Sequence, residues 1–231
     1  ELSGKKIPEK YTEERGRLLD AMIDAHKYNG QARAVIYGDA EQCLSITGVC
    51  LESGIKPVLI AAGAETGQFK TALKHMLAER EILTHKHFAG EDRPVILDDT
   101  DFETIEKYAV ELGANLLIGN SDGRRIEEKY GIDLIRIGFP IHDRVGGQRK
   151  HYTGYAGTTA LIEETANTIL AAKERGYRKE MYDRFYPKPC GLEQREVLHA
   201  EATTVAKCSP NALKPGVKGC GRAGGKYGAK A

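Results

Sequence analysis

Three segments of this chain end a helical pattern in the same way: "ESGIKP", "ELGANL" and "KYGIDL". In each, a glycine (Gly54, Gly113, Gly131) stands where a helix needs a left-handed residue to stop, and an apolar run follows at once. This repeat constrains the fold more than any other feature, because it predicts helices and strands alternating with almost no loop between a helix end and the next strand. The apolar runs are "RAVIY" (33–37), "KPVLIA" (56–61), "PVIL" (94–97), "NLLIG" (115–119) and "DLIRIG" (133–138). Each is too short and too rich in branched side chains for a helix, and reads as a buried strand. Helices are expected over residues 40–53, 66–80, 101–112 and 123–130, with a long one at 156–175 closing the series. Strands apolar on both faces belong to a parallel sheet covered by helices on both sides. Right-handed crossovers then give an α/β fold: a doubly wound, mainly parallel five-stranded sheet of Rossmann-like type.

The expected organisation is a helical segment at 1–30, the Rossmann-like domain at 31–175 and a basic, glycine-rich, flexible C-terminal extension at 176–231. In the first segment, Pro8 suits a first helical turn and Gly30 a stop, while Leu18, Leu19, Met22, Ile23 and Ala25 are read as one buried stripe. His26 borders it as a packed or hydrogen-bonded residue. From Lys207 onward there are six lysines or arginines and no acid, which makes the end of the chain a basic tail. The chain begins at Glu1 without a methionine or a signal-like segment, which fits either a fragment or a processed product, and its start is treated as arbitrary.

With 34 basic and 33 acidic residues, the chain as a whole gives no reason to propose a nucleic-acid partner. No apolar run reaches bilayer-crossing length, so no membrane partner is expected. Five cysteines (Cys43, Cys50, Cys190, Cys208, Cys220) form no CxxC pair and fit a reducing, cytoplasmic setting. Cys43 and Cys50 fall in a helix and are read as small buried thiols.

In a doubly wound sheet ligands bind at the rim formed by the carboxyl ends of the strands. That rim receives "GDAEQ" (Gly38, Asp39), "GNSDG" (Asn120, Ser121, Asp122) and the stretch "GFPIHDRVGGQRKHYTGYAG" (138–157). A dinucleotide is disfavoured there: the first turn lacks GxGxxG and sets Asp39 where a pyrophosphate would lie, so Asp39 is expected to be an N-cap or turn residue. No phosphate-binding GxxxxGK[ST] occurs. His85 and His87 form an HxH with Glu91 and Asp92 nearby, but no further ligands converge by spacing, and a solvated loop is the better reading. A Ser121–His142–Asp143 triad is unfavoured, because adjacent His and Asp residues do not normally face each other and Ser121 lacks a nucleophile elbow. The "HDR" cluster reads instead as a polar lock in which Arg144 forks onto a carboxylate or backbone carbonyls.

Taken in order, "IPEKYTEERGRLLDAMIDAHKY", "AVIYGD", "LLIGNSDGRRI" and "LIRIGFPIHDRVGGQRKHYTGYAGTTALIEETANTIL" resemble the C-terminal domain of β-type chains of nitrogenase component 1, over about residues 2–175. That group holds the nitrogenase β subunit and its paralogue in the iron–molybdenum cofactor assembly scaffold, and the loop sequences lean slightly toward the scaffold. The resemblance implies an α-type partner subunit and an ATP-dependent iron–sulfur reductase as partners. It also implies an iron–sulfur cluster and a molybdenum-type cofactor in the full complex, with nitrogen fixation as the function. It implies no catalytic residue, no metal ligand and no bound cofactor in this segment, because the cluster cysteines of β-type chains lie in an N-terminal domain. Where cofactor-bearing α-type chains have a histidine before "GY.G", this chain has Thr153, which refuses the carry-over of a ligand and fits the β type, with His151 two residues earlier as the weaker alternative of a shifted ligand. Asp39, Asn120, Asp122, His142, Asp143 and Arg144 are then the expected rim or interface residues. The alternative is a stand-alone small-molecule-binding domain using the same rim.

Overall fold

The computed structural model describes Gly4, residues 6–84 and residues 93–186. Helix α1 (Glu9–Asn29) leads into β1 (Arg33–Gly38), α2 (Ala40–Ser53), β2 (Lys56–Ala62), α3 (Phe69–Thr84) and β3 (Val95–Leu97). Then come α4 (Phe102–Glu111), β4 (Leu116–Gly119), α5 (Arg124–Tyr130), β5 (Asp133–Arg136) and α6 (Gly154–Phe185). The five strands form one all-parallel sheet in the order β3-β2-β1-β4-β5. The three helix stops expected from the sequence carry left-handed glycines, with φ of 83° at Gly54, 60° at Gly113 and 69° at Gly131.

Side chains of β1 alternate between two cores, as strand geometry requires. Ala34 and Ile36 join Cys43, Ile46 and Cys50 of α2, Phe69 and Leu73 of α3, and Leu161 and Ile169 of α6. Val35 and Tyr37 face the other side, with Ile105 and Ala109 of α4 and Ile126 of α5. The sheet is therefore covered on both faces, and the helices that leave β1 and β4 depart to opposite sides.

Two local expectations change. The stripe on α1 is narrower than read: Ala25 is buried, and Leu18 and Met22 pack beside Ile162 and Ala166 of α6. Leu19 (43% exposed) and Ile23 (75%) point away from the core. Positions 18, 22 and 25 share one helical face, whereas 19 and 23 sit about 100° around it. His26 is exposed, with its ring packed over Gly54. Helix α6 also runs through Gly176 to Phe185, past the expected end at residue 175. An interior helical glycine costs only about 1 kcal/mol, and the charged helix formers around it carry the helix on.

Residues 1–178 form one compact unit and residues 179–231 a second. In the second, the described residues are the last turns of α6 and Tyr186, with the Tyr182 and Tyr186 rings stacked at 5.5 Å. His85, His87, Glu91 and Asp92, together with Cys190, Cys208, Cys220 and the basic tail, lie outside the described residues.

Candidate functional site

Because β1 and β4 are neighbours whose following helices cover opposite faces, the crevice between their carboxyl ends is where a doubly wound sheet ordinarily takes a ligand. Here side chains fill it. The hydroxyl of Tyr37, at the end of β1, donates to the carbonyl of Asn120 at 2.6 Å, and the ring stands edge-on to Phe102 at 5.3 Å. Burial pushes this phenol well above its ordinary pKa, so it stays a neutral donor. Gln42 reaches across from α2, donates to the Ile137 carbonyl at 3.2 Å and fills the space beside Gly38 and Gly138. Asp39 caps the start of α2 through its backbone, its carbonyl accepting from Cys43 N–H at 2.9 Å, while its exposed side chain makes no cap bond.

The loop after β5 is fixed from beneath. Asn120 Oδ1 accepts from the Asp122 N–H at 3.2 Å and its Nδ2 donates to the Phe139 carbonyl at 3.3 Å, while the Asp122 residue itself is exposed. Ser121 N–H donates to the Pro140 carbonyl at 3.0 Å. Its hydroxyl donates to Asp143 Oδ1 at 2.5 Å and accepts from the His142 N–H at 3.2 Å. Asp143 Oδ2 in turn receives Nε of Arg136 at 2.8 Å and Nη2 at 2.7 Å. Arg136 also donates to Glu127 Oε2 at 2.6 Å and to the Leu134 carbonyl at 3.0 Å. The side chains of Arg136 and Asp143 are 7% and 2% exposed. A charge pair so buried persists only when each partner is fully hydrogen-bonded, as both are here. The Arg136 guanidinium, helped by the Ser121 hydroxyl, holds the Asp143 carboxyl well below the usual carboxylate range.

This geometry excludes the triad. Ser121 donates directly to a carboxylate too weakly basic to take its proton, and His142 contributes its backbone N–H. Arg144 reaches a backbone carbonyl, one of the two partners expected for it, while the buried fork onto the carboxylate comes from another arginine. The arginine that forks onto Asp143 is Arg136; Arg144 is 56% exposed, with Nη1 donating to the Asp143 carbonyl at 2.9 Å and lying 3.7 Å from Oδ2. Arg136 was hidden inside the apolar run "DLIRI". The available signal was the charge itself, because an arginine inside a strand that reads as buried requires an acid to meet it.

Above this lock the loop turns outward. The Phe139–Pro140 peptide is cis, Phe139 is 80% exposed and Val145 is fully so, with His142 and Arg144 exposed between them. Thr153 and His151 stand at the exposed approach to α6, 3.4 Å apart through Oγ1 and Nε2. Among the described residues no group of three or more His, Cys, Asp or Glu side chains is placed to hold a metal ion. Cys43 and Cys50 do not fit a cluster: both are buried free thiols, and burial pushes each up to about 12. Also among the described residues, no helix is long and apolar enough to cross a membrane.

The chain is a doubly wound αβ domain with a filled crevice and with a loop locked below and exposed above. Its sequence places it further. Residues 1–170 match the family model "Nitrogenase component 1 type Oxidoreductase", and the chain belongs to that family. It is similar to the nitrogenase molybdenum-iron protein beta chain of Methanothermobacter marburgensis, at 34% identity over 170 residues, covering 73% of this chain and 35% of that one. It is also similar to the nitrogenase iron-molybdenum cofactor biosynthesis protein NifN of Bradyrhizobium diazoefficiens, at 32% over 203 residues, covering 88% of this chain and 38% of that one. The solved structure "Nitrogenase Cp1 at pH 6.5" superposes with a TM-score of 0.66 at 32% identity, covering 75% of this chain and 36% of that one. The chain thus spans little more than a third of the length of these relatives, and the Methanothermobacter relative is a beta chain.

Proposed function

We propose that this chain serves as the C-terminal portion of a nitrogenase component 1-like β-type subunit and takes part in nitrogen fixation. It does so either within the oxidoreductase or within the scaffold on which the iron–molybdenum cofactor is assembled. Its partners are an α-type subunit of the same family and, for the complex, an ATP-dependent iron–sulfur reductase. Iron–sulfur and molybdenum-type centres belong to the full complex, where they carry the electron chemistry while this segment supplies shape and subunit contact.

The observation that carries this reading is the two-layered loop after β5. Its polar groups are spent on one another below, leaving Phe139, His142, Arg144 and Val145 as an exposed crown, of which Phe139 and Arg144 are of types enriched at protein interfaces. The filled crevice between β1 and β4 argues against the alternative of a stand-alone domain that binds a small molecule there. Asp39, Asn120 and Asp122 belong to the same rim and are proposed as its outer contacts.

Co-expression with each α-type subunit, of the enzyme and of the scaffold, tests the reading, and the partner that co-purifies tells the two roles apart. Phe139→Ala and Arg144→Glu should lower co-purification at least tenfold without changing the unfolding midpoint. Co-purification with neither subunit, or variants that co-purify as well as the parent, would refute it.

A further inference from the structure

A second concave region lies away from the filled crevice, along the outer edge of β5. It is a cleft of about 600 Å3, floored by β5, roofed by residues 144–150 and walled by α6, which is within the size range of small-molecule sites.

The floor does not suit a peptide strand. Strand β5 is an edge, so its outward backbone groups could in principle pair with another chain. The Leu134 N–H already donates to Glu127 Oε1 at 3.3 Å, and the Leu134 carbonyl already accepts from Arg136 at 3.0 Å. Side chains have capped the edge at Leu134, the middle of the strand, which leaves recognition to the walls and roof.

The lining carries four cations, Arg136, Arg144, Lys150 and Arg175, against three acids, Glu127, Asp133 and Glu164. Arg136 is spent on Glu127 and on the buried Asp143 behind it, and with Asp143 counted the charges balance. What the mouth offers an anion is therefore the donor groups of Arg144, Lys150 and Arg175 rather than a net positive charge. The pairs at the mouth are solvated: Lys150–Glu164 has side chains 50% and 31% exposed, and Arg175–Asp133 61% and 24%. Exposed pairs of this kind contribute little to stability, so an incoming anion can share or replace them at little cost. The donors are also incompletely used. Among the described residues Arg175 spends only Nη2, on both oxygens of Asp133, and Arg144 spends only Nη1. Between them the roof turns at Gly146 in the left-handed region, with φ of 77°, and Gly147 is packed too tightly against Ile141 to carry a side chain. The backbone therefore comes close to the cleft, with Leu134, Val145 and Ala171 as apolar walls.

We propose that this cleft binds a small organic anion carrying phosphate or carboxylate groups, held by the free guanidinium donors of Arg144 and Arg175 and by Lys150. Arginine forks match such groups bidentately, and the shared chemistry is that of an oxyanion with two charged ends.

Titration calorimetry of the full chain with pyrophosphate and, separately, with succinate tests this and separates the phosphate from the carboxylate arm. One saturable site per chain for either probe is expected, weakening at least tenfold in Arg144→Gln and in Arg175→Gln. The distant exposed Lys107→Gln should bind as the parent does. Circular dichroism of each variant guards against unfolding, and both arginines are exposed enough to be replaced without it. Two results would overturn the proposal: no saturation by either anion up to tens of millimolar, or binding indifferent to both arginine substitutions. Saturation by an acidic peptide alone would also overturn it, by making the cleft a protein contact. Arg144 and Val145 belong to both the crown and the cleft, so the two readings are told apart by Phe139, which lies outside the cleft lining, and by Arg175, which lines the cleft away from the crown: Phe139→Ala should lower co-purification and leave anion binding unchanged, and Arg175→Gln the reverse.

Discussion

The β1–β4 crevice and the loop after β5 stand on the same rim of the same sheet, and both are built from glycines and polar side chains. In the crevice the polar groups close on each other across the gap: Tyr37 on Asn120, Gln42 on Ile137. After β5 they close downward, Asp143 onto Arg136 and Ser121, and the chain above is pushed into solvent. The difference lies in where the bulky side chains sit. Tyr37 projects from a strand end into the gap, whereas Phe139 and Val145 project from a loop whose base is already full. A doubly wound sheet thus need not use its switch point. It can fill that gap for stability and place its exposed features one strand further along.

The sharpest way to break this comparison is to unlock the loop. Arg136→Met would leave the buried Asp143 without its counter-ion, at a cost of about 3 kcal/mol in urea unfolding. The same lock predicts a pH dependence. Because the folded-state pKa of Asp143 is depressed, its contribution is complete above the unfolded carboxylate value of about 4 and is lost as pH falls through the lower folded value. Asp143→Asn should flatten the acid limb of the stability curve below about pH 4 relative to the parent.

A slightly smaller effect tests the crevice. A Cβ at Gly123 would fall on the Tyr37 hydroxyl, so Gly123→Ala should cost about 2 kcal/mol. Tyr37→Phe removes the nearest atom in conflict and leaves ring carbon Cζ at 2.8 Å, so the double variant should recover part of that loss and give a measurable coupling energy in denaturant titrations. Additive losses would mean that the two residues do not share the gap.

Among the smallest expected effects is the stability change at the crown. Phe139→Ala and Arg144→Glu should each alter unfolding by about 0.5 kcal/mol or less, as exposed positions do. Thiol chemistry supplies a neutral control: iodoacetamide at pH 8 should leave Cys43 and Cys50 unmodified in the native chain and label them after unfolding, read by peptide mass.

The alternation of strands and helices was legible along the chain because it rests on local causes: apolar runs of strand length, and glycines at Gly54, Gly113 and Gly131 that stop helices by adopting a left-handed conformation. The rim position of Asp39, Asn120, Ser121 and the 138–157 stretch followed from topology alone. Helix α1 was less legible. Leu19 and Ile23 fit an apolar pattern, but which face of a helix is covered depends on the neighbour that packs there, and α6 covers only positions 18, 22 and 25.

What the sequence by itself determined was the parallel sheet, its helix stops and the set of loops that share one edge, since these depend on residues a few positions apart. What only the tertiary structure decided was the pairing of groups distant in sequence. Arg136 rather than Arg144 locks Asp143, Ser121 joins that lock instead of a catalytic triad, and Tyr37 and Gln42 fill the crevice. The physical reason is common to all three. A buried hydrogen bond or charge pair depends on direction and on distances of about 3 Å, and these are set only once β1, β4 and β5 lie side by side.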